Sequence, residues 1–513
     1  MNDRHGGSIV RSISVIEPAP RSASRRRRSP TPKDPRPRFR ASTVMEPHPV
    51  LGLLDAQVPA AHLCREVWIV VEQLDTTALE RCYSPLGTRG FHPKRALAVW
   101  IYGSLVGLHE ASKLARACST DVALQWLCGG GKPSAATLKR RRAQHGAFFE
   151  AAIGQTVAFA HLAGLLDLGA LAVDSVRLRA HASTKAARTV LRSTKRLEEL
   201  TQLDTSTLDD AARAAHEAKV AKHAQALASC AERGRSNVVL TNELAGLIKF
   251  PSGASAPGHR VTAIASGAKS RFVIGVLVDA DGHDYGKLGP ATTKAKEVLD
   301  GLGLRGDQRL TVAGDAGYCS AADLSFAAAE QAWLDVLVAV PDFEMRQGKF
   351  FGRSEFTIHD DGRAICPAGR AMNGPYDKGD GRTLWRGVDC GTCELRPKCV
   401  DGKTRSLAVD VPTDRLRRAM RARLATPEGR ARYNQRIATI EPVFSYIEAV
   451  MNYRRVSSRK PSTVLAEILL KVLAYNIDRL VRAQRQVQKL ACVFAAVDAT
   501  GDYQILQPSP ASL

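Results

Sequence analysis

Two apolar runs of the chain each end on an aspartate, and this feature most restricts the folds that the sequence can adopt. Residues 170–173 lead into Asp174, and residues 310–313, followed by a glycine, lead into Asp315. Short apolar runs are typical of buried strands, and the ends of neighbouring strands in an α/β sheet meet at one edge. A third acid, Glu441, lies much later, in a segment with helical periodicity. Because carboxylates drawn together are hard oxygen ligands, we predict that these acids hold one or two Mg²⁺ or Mn²⁺ ions.

The charge balance of the chain indicates a polyanionic partner. Its 513 residues include 73 Lys and Arg against 51 Asp and Glu, which gives a net charge of +22. A chain of this length holds roughly two to four domains. Proteins this basic commonly bind nucleic acids through phosphate contacts that release counterions. A genome rich in G and C, which favours arginine, is the alternative origin of the same bias.

The sequence shows no signal for a membrane or for export. No run approaches about 18 uncharged apolar residues, the length that a membrane-spanning helix needs. The first residues lack the apolar segment of a secretory signal. We therefore predict a cytoplasmic protein in which most of the 11 cysteines are reduced.

Residues 1–45 are rich in arginine, serine and proline, and their 11 basic and 3 acidic residues give a local charge of +8. A segment of this composition cannot bury a core, so we predict that it is disordered. It is either a DNA-binding arm or a region upstream of a translation start at Met45. The second interpretation is favoured, because the motifs described below begin after Met45.

Residues 46–155 are predicted to form an all-helical DNA-binding region. Apolar residues recur at helical spacing within 97–108, and Ser134 is placed to cap a short helix after the turn at 128–133. Short helices with a basic last helix are typical of a helix-turn-helix reader of DNA. The alternative is a helical bundle with a solvated basic face. The bases predicted to contact DNA are Lys139, Arg140, Arg141 and Arg142.

Residues 160–345 are predicted to form the first part of an α/β core, in which strands and helices alternate. Acids on the first and fourth strands of such a core are typical of a ribonuclease-H-like fold. The segments predicted are strands at 170–176, 259–266, 271–278, 308–313 and 334–340, with a helical hairpin inserted at 187–235.

Two further charged groups lie near the predicted acid site. Arg177 belongs to the basic face of the strand beyond Asp174, which suits a phosphate backbone. Asp279, Asp281 and Asp284 form a second acidic cluster, but their Ala-Asp-Gly-His setting indicates a turn rather than a metal site.

A cysteine-bearing insertion is predicted at 346–410, followed by the second part of the core at 411–485, with the Glu441 helix, and by a tail at 486–513. The insertion has a Cys-Gly-Thr-Cys turn, whose two thiolates and two further cysteines complete a tetrahedral set for structural zinc. Free thiols or redox pairing are the alternatives. The four cysteines are Cys366, Cys390, Cys393 and Cys399.

An ordered set of motifs extends this interpretation. Together these motifs resemble the DDE transposases of bacterial insertion sequences, in the branch with a cysteine cluster between the second Asp and the Glu. The resemblance runs from about Val50 to Leu480. The motifs are Phe91-His-Pro-Lys-Arg, Trp126-Leu-Cys-Gly, Lys132-Pro-Ser-Ala-Ala-Thr-Leu, Val173-Asp-Ser, Gly314-Asp-Ala-Gly-Tyr, Thr426-Pro-Glu-Gly-Arg, Glu441-Pro-Val-Phe and Ala474-Tyr-Asn.

The resemblance implies an enzyme that acts on double-stranded DNA. Asp174, Asp315 and Glu441 would be its catalytic, magnesium-binding residues. It would bind terminal inverted repeats, pair two ends as a homo-oligomer associated with the nucleoid, and catalyse strand cleavage and strand transfer. The alternatives are a domesticated DNA-binding protein without activity and a metal-dependent nuclease without strand transfer.

The helix of the third acid both follows the family and departs from it. Tyr433 and Arg436 resemble the Tyr and Arg that accompany the family's glutamate and orient DNA phosphates. The family usually carries a lysine seven residues after that glutamate, where this chain has Glu448. Either Glu448 faces away from the DNA, or Arg454 and Arg455 have taken over the phosphate contact. A further alternative is that Glu448 belongs to the metal site.

Overall fold

The computed structural model of the protein describes residues 39–48, 52–84, 89–267, 269–341, 350–359 and 361–486. No helix in this part of the chain is long and apolar enough to cross a membrane.

The described part of the chain contains the helices α1 Leu63–Gln73, α2 Thr77–Glu80, α3 Pro93–Leu105, α4 Ala111–Thr120, α5 Val122–Leu127, α6 Ala135–Gln144, α7 Gly146–Leu162, α8 Val190–Thr201, α9 Asp210–Glu232, α10 Leu288–Gly301, α11 Ala321–Ala329, α12 Val411–Ala425, α13 Pro427–Ser445 and α14 Pro461–Gln486. Its strands are β1 Pro47–His48, β2 Gly52–Leu53, β3 Leu171–Arg179, β4 Ala187–Thr189, β5 Asn237–Val239, β6 Gly246–Lys249, β7 Ser255–Ala265, β8 Val273–Asp279, β9 Leu310–Gly314, β10 Leu334–Val338, β11 Thr357–Ile358, β12 Ala364–Ile365, β13 Asn373–Asp377, β14 Thr383–Arg386 and β15 Ser406–Val409.

The central sheet has the order β10-β9-β3-β7, with β8 and β6 both pairing with the far side of β7. β10, β9 and β3 are parallel, whereas β7 runs antiparallel to all three of its neighbours. The hairpin predicted from the sequence is confirmed as β7 and β8. Nearly every residue of β7 is buried, because the strand lies inside the sheet with both faces covered. The fold is therefore mixed α/β, as predicted.

The helices before β3 share one hydrophobic core with α14. Trp100 of α3, Phe149 of α7 and Leu473 of α14 are all buried in it. The side chain of Ser134 accepts a hydrogen bond from the backbone amide of Thr137, so the predicted cap of α6 is confirmed. The predicted helical region and the last helix thus pack as one body.

Asn476, in the middle of α14, connects this helical core to the sheet. Its side-chain oxygen accepts a hydrogen bond from the amide of Val273, and its side-chain nitrogen donates to the Val273 carbonyl and to the hydroxyl of Thr156 on α7. These bonds satisfy the backbone groups at the start of β8, which is an edge strand there. One buried amide therefore links α7, α14 and the sheet.

Two smaller units project from this body. The predicted helical hairpin is present as α8 and α9, which pack on each other between the short strands β4 and β5. The cysteine-bearing segment folds around the three-stranded antiparallel sheet β13-β14-β15 and the pair β11-β12. Its own small core includes Phe356, Trp385 and Leu407.

Residues 39–44 lie against the helical region. The amide of Arg40 donates to the carbonyl of Gly90, the amide of Thr43 donates to that of Gly129, and Val44 is buried. The prediction of disorder up to residue 45 is therefore wrong for these residues, because they find partners on the helices. The rest of that predicted segment, residues 1–38, and residues 487–513 of the predicted tail lie outside the described residues.

Candidate active site

The register of the central sheet brings Asp174 and Asp315 to the same edge. β3 and β9 pair in parallel, with Ala172 opposite Ala313. Asp174 lies two residues after Ala172, and Asp315 lies two residues after Ala313. Both aspartates are therefore just beyond the carboxyl end of the paired segment. Asp174 accepts a hydrogen bond from the adjacent backbone amide at 2.7 Å, and Asp315 caps the short helical turn that follows β9. Parallel pairing thus turns two distant acids into neighbours.

Both aspartates lie where negative charge is disfavoured. Burial raises the pKa of Asp174 to about 6, and the charge of Asp315 adds to the rise, against the amide of Ser175, which lowers it. Burial also raises the pKa of Asp315, and the charge of Asp284 raises it further. Neighbouring carboxylates in a partly dry site raise one another's pKa until a cation or a proton balances them. The two acids therefore favour a bound cation.

Arg436 connects the third acid to the sheet. α13 packs against β3 and β9. On it, Arg436 reaches Asp174 with one guanidinium nitrogen at 3.7 Å and Glu441 with the other at 3.6 Å. The Glu441 side chain is 51% exposed, whereas that of Arg436 is 12% exposed. The guanidinium also lies over the ring of Tyr433, 5.9 Å from its centre. All three predicted acids are therefore brought to one edge, with an arginine between two of them.

Asp284 is a fourth carboxylate at this edge, which the sequence interpretation had assigned to a turn. Its side chain accepts a hydrogen bond from the hydroxyl of Ser175, next to Asp174, and forms an ion pair with Arg260. Arg260 is fully buried on β7 and also donates to Ser175 and to the carbonyls of Asp281 and Gly282. A charged residue within the apolar run of β7 is the sequence signal that could have indicated this partner.

The rest of the predicted second cluster does not belong to the site. Asp279 and Asp281 both pair with Lys287, at 3.3 and 2.5 Å. This pairing lowers the pKa of Asp281 against its burial and raises the pKa of Lys287. Asp279 ends β8 and Asp281 lies in the loop that follows, and both are paired with Lys287, whereas Asp284 joins the acid site.

Gly317 provides the space in which the carboxylates come together. A β-carbon at this position would lie 2.9 Å from a carboxylate oxygen of Asp315 and 3.2 Å from one of Asp284. The space beside Gly317 therefore holds no side chain and is lined by carboxylate oxygens, which are the ligands that a small, hard cation prefers. Within the described residues, however, no three His, Cys, Asp or Glu side chains already surround a common point that a metal ion could occupy. Asp174 and Glu441 are instead joined through Arg436.

The predicted DNA-contact residues of α6 divide into two kinds. Lys139 and Arg140 are exposed, and Arg141 is half-buried with its guanidinium 3.7 Å from the centre of the Tyr83 ring. Arg142 is only 6% exposed. The prediction that Arg142 contacts DNA is therefore wrong, because its side chain points into the protein.

Arg142 belongs to a cluster that we call the buried ion network, formed with Glu467 and Lys471 of α14. Arg142 pairs with Glu467 at 3.1 Å, and its guanidinium lies over the ring of Trp100. Lys471 donates to the hydroxyl of Ser104 at 2.6 Å. Burial lowers the pKa of Lys471 to about 7, although Glu467 acts to raise it. The network joins the helices before β3 to α14.

The remaining predicted DNA-contact residues lie around the end of β3. Arg177 is half-buried and donates to the carbonyl of Lys249 at 2.9 Å. Arg454 and Arg455 are exposed, and their segment pairs with the last residue of β3. Glu448 lies on the single π-helical turn after α13, where burial raises its pKa while Arg454 lowers it. Arg454 also donates to the Glu448 carbonyl at 3.3 Å.

The four predicted cysteine ligands line one small cavity in the cysteine-bearing unit. All four are unpaired thiols and half-buried. Burial raises the pKa of Cys399, and the other three thiols raise it further, while Arg405 lowers it. Four thiols around one cavity are the donor set of a soft tetrahedral ion such as zinc, although in the part of the chain that the structure describes no three of them already surround a common point that an ion could occupy.

Comparisons with protein families match two segments of the chain, on either side of the central sheet. Residues 53–144, which contain α1 to α6, match the family described as Transposase domain (DUF772). Residues 365–481, which contain the four cysteines, Glu441 and most of α14, match the family described as Transposase DDE domain. Asp174 and Asp315 lie between the two matched segments. No curated protein and no solved structure matches the chain. The two family matches, in this order along one chain, support a DDE-type transposase of an insertion-sequence family.

Proposed function

We propose that the protein binds the terminal inverted repeats of an insertion sequence, cleaves the DNA there and joins the ends to target DNA. Asp174, Asp315 and Glu441 are the catalytic carboxylates of this proposal. The observation that carries it is their convergence: Asp174 and Asp315 lie just beyond the paired segment of β3 and β9, and Arg436 links the Glu441 helix to Asp174. Without bound cations, three carboxylates gathered at one edge would repel DNA phosphates, so their convergence favours a metal-dependent enzyme over a protein that only binds DNA.

We propose that the core is ribonuclease-H-like. Apart from the short strand β6, the strands of the sheet are, in chain order, β3, β7, β8, β9 and β10, with β3 at the centre. Asp174 lies on the first of these strands and Asp315 follows the fourth, which supports the assignment.

The same three carboxylates are the residues that would hold Mg²⁺ or Mn²⁺, and Asp284 adds negative charge beside them. When bound, such ions supply Lewis acidity toward the phosphate oxygens and balance the charge of the acids. Asp174 and Asp315 contribute fixed positions, because their strands are paired. Glu441, on an exposed helix surface, contributes the ligand that can adjust to the DNA.

The proposed chemistry consists of two phosphoryl transfers. In the first, a water oxygen bonds to the phosphorus at the element's end, and the bond from that phosphorus to the 3′ oxygen breaks. The products are a free 3′-hydroxyl and a 5′-phosphate. In the second, this 3′ oxygen bonds to a phosphorus of the target, and the target's own 3′ oxygen leaves with a proton. Each step exchanges one P–O bond for another, so it needs positioning and charge balance rather than an external energy source.

Basic side chains around the site are assigned to the DNA backbone. Lys139, Arg140 and Arg141 on α6 would contact the terminal repeat. Arg454 and Arg455, exposed beside the end of β3, would contact the phosphates near the cleaved bond. Arg177 and Tyr433 are further contacts of the proposal, and Arg436 would orient the phosphate from between the acids. Two ends would be brought together by a homo-oligomer.

Incubation with DNA tests the proposal. The full-length protein is mixed with Mg²⁺ and a labelled duplex made from the genomic sequence on either side of its reading frame, together with a plasmid target. The proposal expects nicked ends and covalently joined products. Binding without any cleavage would make the protein a DNA-binding transposase relative, and cleavage without joining would make it a nuclease.

For the cysteine-bearing unit we propose a structural zinc ion held by Cys366, Cys390, Cys393 and Cys399. Protein purified without a chelator should then contain about one zinc per chain, and Cys393→Ser should lose it and locally unfold the unit. The matched control is Cys82→Ser, an exposed cysteine far from the cluster. Absence of zinc in the unaltered protein would favour free thiols.

A further inference from the structure

Pro442, which directly follows Glu441, leaves α13 without one of its backbone hydrogen bonds. The proline lies inside the helix. Because proline has no amide hydrogen, it cannot donate to the carbonyl four residues earlier, which is that of Ala438. The missing bond and the clash of the proline ring with that carbonyl kink the helix, and a donor from elsewhere can hold the carbonyl that is left without its partner. The direction in which Glu441 points therefore depends on what holds Ala438.

Arg271 supplies the missing donor. Its side-chain Nε donates to the Ala438 carbonyl at 2.8 Å, although the two residues are 167 positions apart in sequence. Arg271 comes from the turn between β7 and β8, so the bond connects the sheet to the helix that carries the third acid. It is formed one turn before Glu441.

The backbone of Arg271 indicates that its side chain matters. Its φ is 55°, in the left-handed region that disfavours residues with a β-carbon and that glycine adopts readily. Glycine would adopt this conformation with less strain, so an arginine here indicates that its side chain makes a contact that offsets the strain. The hydrogen bond to the Ala438 carbonyl is such a contact.

The turn that presents Arg271 is itself fixed. Arg479 of α14 donates to the carbonyls of Ser270 and Lys269, both at 3.1 Å. The amide of Arg271 donates back to the carbonyl of Gly267 at 3.0 Å. The guanidinium of Arg271 thus extends from an anchored base, and its reach defines the distance between the turn and α13.

We infer that Arg271 is a positioning residue for Glu441: it replaces the hydrogen bond that Pro442 removes and so sets the approach of the glutamate to Asp174 and Asp315. The inference rests on the proposed function, because it takes Glu441 as a catalytic carboxylate. Arg271 itself need not touch the DNA.

A double-mutant cycle tests this inference with the full-length protein, Mg²⁺ and the labelled flanking duplex. Arg271→Gly relieves the backbone strain while removing the contact, so its melting temperature should be maintained or raised. Its cleavage rate should nevertheless fall roughly tenfold to a hundredfold, as expected for a misplaced catalytic group, with the dissociation constant for DNA unchanged. Pro442→Ala restores an amide donor to Ala438. In that background, Arg271→Gly should cost less than about threefold, since the helix now supplies the bond itself.

Lys269→Ala is the control, because it removes a positive charge from the same exposed turn and leaves the Arg271 contact in place. Wild-type cleavage by Arg271→Gly, or an equal loss in both backgrounds, would overturn the inference. If Pro442→Ala is itself inactive, amide hydrogen exchange over residues 438–446 gives the same comparison without activity: faster exchange in Arg271→Gly supports the inference, and unchanged exchange overturns it. Full activity of Glu441→Gln would instead refute the proposed function, which keeps the two failures distinct.

Discussion

The acid site and the buried ion network both combine carboxylates with arginine, and the protein pairs them in opposite ways. At the acid site, Arg436 stays 3.6 to 3.7 Å from its two carboxylates, and Glu441 is half exposed. In the network, Glu467 is fully buried and accepts hydrogen bonds from the amide and hydroxyl of Ser457 and from the hydroxyl of Ser458, at 2.6 to 2.8 Å. The first arrangement leaves charge for a ligand to balance, whereas the second balances it within the protein.

The pKa values of Asp174 and Glu467 are shifted in opposite directions, in agreement with this difference. Burial raises the pKa of Asp174 to about 6, so its charge is disfavoured in the folded chain. The pKa of Glu467 is lowered despite burial, because Arg142 and the two serines favour its charged form. A charged residue with every bond satisfied is structural, while one that the fold leaves unsatisfied is available for function. The following predictions test this distinction.

The largest effect is expected at the acid site. Asp174→Asn and Asp315→Asn should each lower Mg²⁺-dependent cleavage by about a thousandfold or more, because either change removes a charged ligand from a unit that works together. DNA binding, measured by gel shift, should remain close to that of the unaltered protein. Substantial cleavage by either variant would exclude that aspartate from the site.

The network should respond in stability instead. Glu467→Ala leaves Arg142 and Lys471 buried without their counter-charge, so we expect a loss of about 3–5 kcal/mol in the free energy of unfolding. Arg140→Ala, on the same helix as Arg142 but exposed, should change it by no more than about 0.5 kcal/mol. Denaturant titration measures both. A network variant as stable as the Arg140 control would remove the basis for calling the cluster structural.

The free energy of unfolding should also depend on pH with opposite signs through Asp174 and through Glu467. The folded pKa of Asp174, about 6, lies above its ordinary value of 3.8. Folding then becomes less favourable as pH rises from about 4 to about 6, and the full cost, at most about 3 kcal/mol, is present above that range. Without divalent cations, Asp174→Asn should therefore be the more stable protein at pH 8 and equal to the unaltered one near pH 4. Glu467 has the opposite sign, because its lowered pKa stabilises the fold above its ordinary pKa and this contribution is lost on acidification. A destabilised Asp174→Asn at pH 8 would contradict the assignment.

The smallest effect of a substitution is expected at the exposed bases of α6. If the protein neutralises roughly six to ten phosphates, its DNA affinity should fall about 10³- to 10⁵-fold between about 50 and 200 mM salt. Lys139→Ala combined with Arg140→Ala should lower the slope of log affinity against log salt by about 2, one for each phosphate contact. An unchanged slope in the double variant would remove α6 from the DNA interface.

Local patterns predicted much of the fold and of the acid site. Five of the six strands of the central sheet, the β7–β8 hairpin, the helical hairpin and the cap at Ser134 follow from periodicity and capping chemistry, which act over a few residues. The two aspartates were found because each follows an apolar run, although β3 continues past Asp174 to Arg179. What periodicity could not show is which side of α6 faces the core: four consecutive bases look alike in sequence, and only packing against α14 separates Arg142 from Arg140. Asp284 was missed for a related reason, since its partner Arg260 comes from another strand.

The measurement that tests the proposed site most directly compares two glutamates that lie about two helical turns apart. Glu441 faces Arg436 at the acid site, whereas Glu448 occupies the family's lysine position on the π-helical turn beside Arg454. Glu441→Gln and Glu448→Lys are assayed for cleavage of the labelled flanking duplex in Mg²⁺, with binding measured in parallel. We expect Glu441→Gln to bind the duplex without cleaving it, and Glu448→Lys to cleave it at least as fast as the unaltered protein. Loss of cleavage by Glu448→Lys with binding intact, together with cleavage by Glu441→Gln, would contradict the account.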